Sequence, residues 1–172
     1  MGLRNSLVGL VSRLVGVEKA YKVVYRLRRA ELSARFTADC GNRVQHGPFA
    51  GLVLPSEDSW PAGDRAAKLV GLYEAELHPA LRQARERAPE TVVNVGCAEG
   101  YYAIGLARML PNARVIAFDI SAKARELCAA AATDNGVGDR VTVRGEATCE
   151  AMSEVLGPGS SRLVVMDCEG GE

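Results

Sequence analysis

The sequence predicts a doubly wound α/β domain built on a parallel sheet, and three observations predict it. After Pro89, short apolar runs alternate with helix-length segments. No Asn-Gly or Asp-Gly hairpin joins neighbouring strands, and each connection is long enough to hold a crossover helix. Strands connected in this way lie parallel, covered on both faces, with right-handed crossovers.

In chain order, residues from about Leu3 to Phe36 carry Leu and Val at helical spacing with Arg4, Arg13, Lys19, Lys22, Arg26, Arg28, Arg29 and Arg35 between them. They read as one or two amphipathic basic helices, with packing on their own domain and a solvated basic face favoured over a lipid-facing or partner-facing helix, since Glu18 and Glu31 break up the charge. Arg13 interrupts the apolar stretch Leu7–Val17, which is too short to span a bilayer, so no export or transmembrane segment is expected. Arg43 to Leu54, with Gly47-Pro48 in its middle, suggests a short hairpin, and residues 55–63 are loop by composition. Asp64 can cap a helix running through Leu77, and Pro79 suits the first turn of another ending before Pro89. The alternating part follows. Strands are predicted at Thr91–Val95, Arg114–Phe118, Val141–Arg144 and Leu163–Met166, with helices at Tyr101–Leu110, Ala122–Asp134 and Cys149–Leu156. This divides the chain into an N-terminal segment, 1–63, and an α/β domain, 64–172.

Composition narrows the function classes. The 172 residues, 48% of them hydrophobic, suffice for one self-contained core. Acidic and basic side chains balance at 21 each, so no global field draws in nucleic acid or an anionic membrane, and neither is expected as a partner. Five scattered cysteines (Cys40, Cys97, Cys128, Cys149 and Cys168) without a C-x-x-C pair read as reduced thiols of a cytoplasmic protein.

The chemistry concentrates where the first strand meets its helix. Gly96, Ala98 and Gly100 allow a sharp turn with no bulky side chain, so a ligand can lie against the backbone and the helix N-terminus. Asp119 ends the second apolar run, where a carboxylate can accept hydrogen bonds from both hydroxyls of a ribose. A nucleoside-bearing cofactor is implied. A dinucleotide fingerprint would need glycine where Ala98 and Tyr101 stand, so nicotinamide or flavin binding is poorly supported.

The segments Asn94-Val95-Gly96-Cys97-Ala98-Glu99-Gly100-Tyr101-Tyr102, Ala117-Phe118-Asp119, Gly145-Glu146-Ala147 and Val165-Met166-Asp167-Cys168-Glu169-Gly170-Gly171-Glu172 resemble, in order, the motifs of class I S-adenosylmethionine-dependent methyltransferases with a Rossmann-like sheet. The closing D-x-E-G-x-E pattern is most similar to the FkbM-type branch. The resemblance implies that Asn94, Gly96, Cys97, Ala98, Glu99, Gly100 and Tyr101 surround the methionine part of S-adenosylmethionine. It places Asp119 and Ile120 at the ribose, and Glu146 and Ala147 at the adenine edge. Asp167 would stand where methyl and acceptor meet, touching both cofactor and chemistry. Two departures stand out: Asn94 replaces a usual acid, and the family's sheet has seven strands where four are present here. Continuation past Glu172 is therefore expected, and the open edge of the fourth strand offers a route to self-association.

Methyl transfer asks mainly for positioning. A hydroxyl acceptor also needs its proton removed, and Asp167, Glu169 or Glu172 could serve as base. The alternative is that Glu169 and Glu172 cap the next helix or bind substrate hydroxyls. No third oxygen ligand can be named, so no metal is assigned. Cys97 and Cys168 read as small lining of a pocket, and His78 as a cap at a helix junction. Tyr73, Glu74 and Glu76 are expected on a helix before the first strand, which the resemblance lays over the cofactor and which, on sequence alone, forms an ordinary amphipathic face. One of Tyr101 and Tyr102 is expected to line the pocket. The reading is O-methylation of a small-molecule or glycan hydroxyl. Its rivals are a non-catalytic half-domain that binds nucleoside or a partner and, further off, a nucleotide-dependent oxidoreductase.

Overall fold

The computed structural model describes residues 17–59, 64–159 and 161–168. Four strands, β1 (Thr91–Val95), β2 (Arg114–Phe118), β3 (Val141–Arg144) and β4 (Arg162–Met166), form one parallel sheet in the order β3-β2-β1-β4. The α/β class and parallel sheet are as predicted. Helices α1 (Val17–Cys40), α2 (Arg65–Val70) and α3 (His78–Arg87) precede the sheet, and α4 (Tyr101–Met109), α5 (Ala122–Asp134) and α6 (Cys149–Val155) cross over it.

Period-two alternation sorts the side chains between two cores. Val92, Val115 and Ala117 face α4 and α5, in a core that also takes Val44, Phe49, Leu52 and Leu69 from the chain before β1. Val93, Val95, Ile116 and Phe118 face the opposite way, toward Val155 of α6. The strand order runs outward through β2 to β3 and then returns to β4 on the far side of β1. A reversal of that kind opens a crevice at the carboxyl ends of the two strands beside it, here β1 and β4.

Two expectations need correction. The helix predicted from Asp64 through Leu77 stops at Val70, and a short 3-10 turn follows at Ala75–Leu77. Gly71 is left-handed (φ 85°), and a Cβ there would lie 2.0 Å from the carbonyl oxygen of His46, so contact with a remote loop breaks the helix. Asp64 makes no capping bond; its carboxylate instead pairs with Arg29 of α1. The predicted hairpin consists of one antiparallel bridge, Arg43 to Val53, around a reversal closed by Val44 N–H to the Leu52 carbonyl (2.8 Å). Of the predicted basic N-terminal helix, residues from Val17 on are described and the earlier ones lie outside the described residues. Among the described residues, no helix is long and apolar enough to cross a membrane.

Candidate functional site

The loop after β1 is held from both sides. The amides of Gly96 and Cys97 donate to the Phe118 carbonyl at the end of β2, each at 2.9 Å. Gly96 is left-handed (φ 76°), and a Cβ there would fall 1.8 Å from the Asp167 carbonyl oxygen, so the ends of β1 and β4 approach as closely as glycine permits. Asp119 ties the loop to β2: one carboxylate oxygen accepts from the Ala98 amide and the other from the Ser121 amide, both at 2.9 Å. Ala98 itself is left-handed (φ 49°), a strained state for a residue with a Cβ.

Below this loop lies a cavity of about 480 Å³, within the usual range for small-molecule sites. Gly96, Ala98, Glu99, Asp119, Ile120, Glu146, Ala147 and Asp167 all line it, as does Cys168. The Ile120 side chain stands 82% exposed beside Asp119, an uncovered apolar wall next to a hydrogen-bond acceptor. Asp167 is exposed at the end of β4, whereas Glu169 and Glu172 lie outside the described residues.

Four other residues proposed for the cofactor stand behind the wall. Asn94 is 1% exposed and turned into the sheet, where its Nδ2 donates to the Val165 carbonyl at 3.3 Å and its Oδ1 has no partner. Cys97 is buried, and its hydrogen bond with Cys128, followed by burial, pushes the thiol far above its usual range. It is therefore a neutral packing group whose neighbour is Cys128, with Cys168 on the cavity wall. Gly100 is buried against Ile104 and Cys128, where it lets α4 and α5 close together. Tyr101 points into an aromatic cluster, edge-on to Phe49 (5.2 Å) and Tyr73 (5.3 Å), and burial pushes its phenol up to about 12. Tyr102 joins the same cluster and donates to Glu74, so neither tyrosine lines the cavity. His78 sits where the 3-10 turn runs into α3, with its ring near Gly47, away from the cavity.

Beyond the stretch around Tyr73, which the resemblance places over the cofactor, sequence reasoning missed the lining supplied by the chain before β1, namely Asp58, Ser59, Asp64, Arg65 and Lys68. Tyr73 lies on the cavity wall, in the irregular stretch between α2 and the 3-10 turn. Arg65, 7% exposed, binds Asp58 (2.7 Å), the Asn42 side chain (2.7 Å) and the Pro55 carbonyl (2.6 Å), pinning that loop over the site. Lys68 of α2 pairs with Glu99 at 2.5 Å, and the Ser59 hydroxyl donates to the other Glu99 oxygen at 2.6 Å. Burial by itself would raise the Glu99 pKa, but the Lys68 charge and the bonds from Lys68 and Ser59 together outweigh it and hold it below the usual value. The only local signal was a lysine on a predicted helix, because its partner lies 31 positions away.

Residues 92–168 match the sequence profile of the methyltransferase domain family. The methyltransferase-like segment thus runs from the second residue of β1 to the far wall of the cavity. No curated protein sequence matches the chain. Among solved structures, it is similar to the Podospora anserina methyltransferase PaMTH1 bound to SAH, at 22% identity and TM-score 0.49, over 80% of this chain and 58% of that one. It is also similar to the O-methyltransferase TomG of Streptomyces achromogenes in complex with SAM, at 23% identity and TM-score 0.45, over 53% of this chain and 44% of that one. An O-methyltransferase of Bacillus cereus in complex with SAH is similar at 18% identity and TM-score 0.47, over 56% of this chain and 45% of that one. The chain spans about half the length of these proteins.

Proposed function

We propose that this chain carries the cofactor half of an S-adenosylmethionine-dependent methyltransferase, acting on a hydroxyl of a small molecule or glycan. The observation that carries the reading is the union of Asp119, Ile120 and the Ala98 amide on one wall of a cavity at the point where the strand order reverses. Asp119 keeps lone pairs free for ribose hydroxyls while it orders the loop, and the exposed Ile120 offers a flat apolar contact for a base. The matched methyltransferase profile supports the same reading. The D-x-E-G-x-E pattern at 167–172 favours the FkbM-type branch. Five cysteines without a disulfide suit a cytoplasmic location.

When bound, the cofactor supplies an electrophilic methyl group on sulfonium. The protein's part is to hold the acceptor oxygen at attack distance, which is the larger contribution, and to receive its proton. Asp167 is exposed into the cavity at the end of β4 and is the described carboxylate placed to take that proton. In this reading residues 64–172 form the cofactor domain, and the segment 1–63 closes one side through Asp58 and Ser59.

Calorimetry tests the reading. S-adenosylhomocysteine should bind in the micromolar range, and Asp119→Ala should weaken it by about 2–3 kcal/mol through loss of a charged acceptor. Binding of NAD in preference to S-adenosylhomocysteine, or indifference to Asp119→Ala, overturns it.

A further inference from the structure

Charge is balanced over the whole chain but not along it. Residues 1–40 hold eight of the 21 basic side chains and three of the 21 acidic ones, Glu18, Glu31 and Asp39. Helix α1 is joined to the domain through its second half, where Arg29 pairs with Asp64, the Thr37 hydroxyl accepts from Arg65 and Phe36 packs on the larger core. Its first half stands in water. Val17, Tyr21, Val23, Tyr25 and Leu27 are all exposed there, Val17 and Tyr21 by 77% and 69%. Helical spacing sorts this half into two sides. Lys19, Lys22, Arg26 and Arg29 recur at steps of three and four along one of them, and Val17, Tyr21, Val24 and Leu27 along the other. Tyr21 and Tyr25 stack one turn apart, with ring centres 6.1 Å from each other. The two acids of this stretch are matched within the helix, Glu18 by Lys22 (2.8 Å) and Glu31 by Arg28 (2.6 Å), which leaves the basic side with a net positive charge.

We propose that the first half of α1 is a docking surface for an anionic lipid membrane, lying in the plane of the interface with Val17, Tyr21, Val24 and Leu27 inserted and Lys19, Lys22 and Arg26 reaching the headgroups. Nucleic acid would take the basic side alone and leave the apolar one wet. A second copy of the helix would cover the apolar side but bring like charges together. An anionic lipid surface takes both, since its headgroup boundary accepts apolar side chains while its phosphates attract lysine and arginine. Tyrosine suits that depth, with an apolar ring and a polar tip. The balance of charge over the whole chain does not weaken this attraction, because charges near a membrane act within a Debye length, about 8 Å at physiological salt. The helix lies on the surface and does not cross, as among the described residues no helix is long and apolar enough to do so. The inference is independent of the methyltransferase reading.

The test is co-sedimentation of the full chain with vesicles of phosphatidylcholine alone and with vesicles containing about 30% phosphatidylserine. Wild type should bind the anionic vesicles about tenfold or more tightly than the neutral ones, and added salt should weaken that binding. The double change Tyr21→Ser with Leu27→Ser, and separately the triple change Lys19→Glu, Lys22→Glu and Arg26→Glu, should each lower it by about tenfold or more. Both sets lie on the exposed half of the helix, so urea unfolding midpoints should stay near that of wild type. Equal wild-type binding to the two kinds of vesicle, or none to either, overturns the inference without any variant having to fold. Binding to anionic vesicles that both variants retain overturns it too, since another surface would then be responsible. A dimer in analytical sedimentation that the Tyr21 and Leu27 changes dissolve would make a second copy the cover, and binding of a short DNA duplex in place of vesicles would give the basic side to nucleic acid; either result overturns the assignment to lipid.

Discussion

Strands β1 and β4 lie side by side with similar apolar sequences, Thr-Val-Val-Asn-Val and Arg-Leu-Val-Val-Met, yet they live in different environments. Every residue of β1 is buried, while β4 is partly exposed along its length. Val93 and Val164 are register partners on one sheet face; the first is fully buried and the second 43% exposed. On the opposite face Leu163 and Val165 pack against the larger core, so β4 is covered there and open around Val164 and Met166. The contrast teaches that an apolar run signals a strand suited to burial, whereas its neighbours decide how much burial it receives. The carboxylates that follow the two strands repeat the pattern, with Glu99 buried and Asp167 exposed.

The sharpest way to break the comparison is at the strand ends. Gly96→Ala puts a methyl group into the Asp167 carbonyl and forces a left-handed alanine, and should cost about 3 kcal/mol or more. Gly145→Ala, just past edge strand β3 with nothing within 4 Å of the new methyl, should be close to neutral, both variants being compared with wild type by urea unfolding. Next come the paired valines. Val93→Ala should destabilise by about 2 kcal/mol, and Val164→Ala by less than about 1 kcal/mol. Equal losses would mean that β4 is covered in solution, and unfolding midpoints that rise with protein concentration would identify a second copy as the cover.

Smaller effects separate the two carboxylates. Because Glu99 is held below its unfolded pKa, its pairing stabilises the folded chain fully above the unfolded carboxylate value of about 4.3. That contribution is lost as the pH falls through the lower folded value. The stability difference between wild type and Lys68→Met should therefore be largest near neutral pH and shrink on acidification below about pH 4, measured by urea unfolding at each pH. A difference constant with pH would show that Lys68 acts through packing. Asp167→Asn should move stability by no more than about 0.5 kcal/mol, while lowering turnover by about a hundredfold or more if the exposed carboxylate takes the acceptor's proton.

Much of the scaffold was legible because its signals are local. Strands β1, β2 and β3 and helix α5 occupy the residues predicted for them, since apolar periodicity and stops such as Pro89 and Gly136 act within a few positions. The Gly96 loop and Asp119, motifs on consecutive elements of one crossover unit, were legible for the same reason. The break at Gly71 was not, because it is imposed by the His46 carbonyl from another part of the chain. The inward turn of Tyr101 is set by Phe49 and Tyr73, which no spacing around Tyr101 records. Residue order alone specified a parallel sheet, a glycine loop and an acid at the end of the second strand, all consequences of backbone geometry over short distances. Folding added the Lys68–Glu99 pair and the unequal burial of β1 and β4, because a buried ion needs its counter-ion and an apolar face needs its cover, and both come from elements far away along the chain.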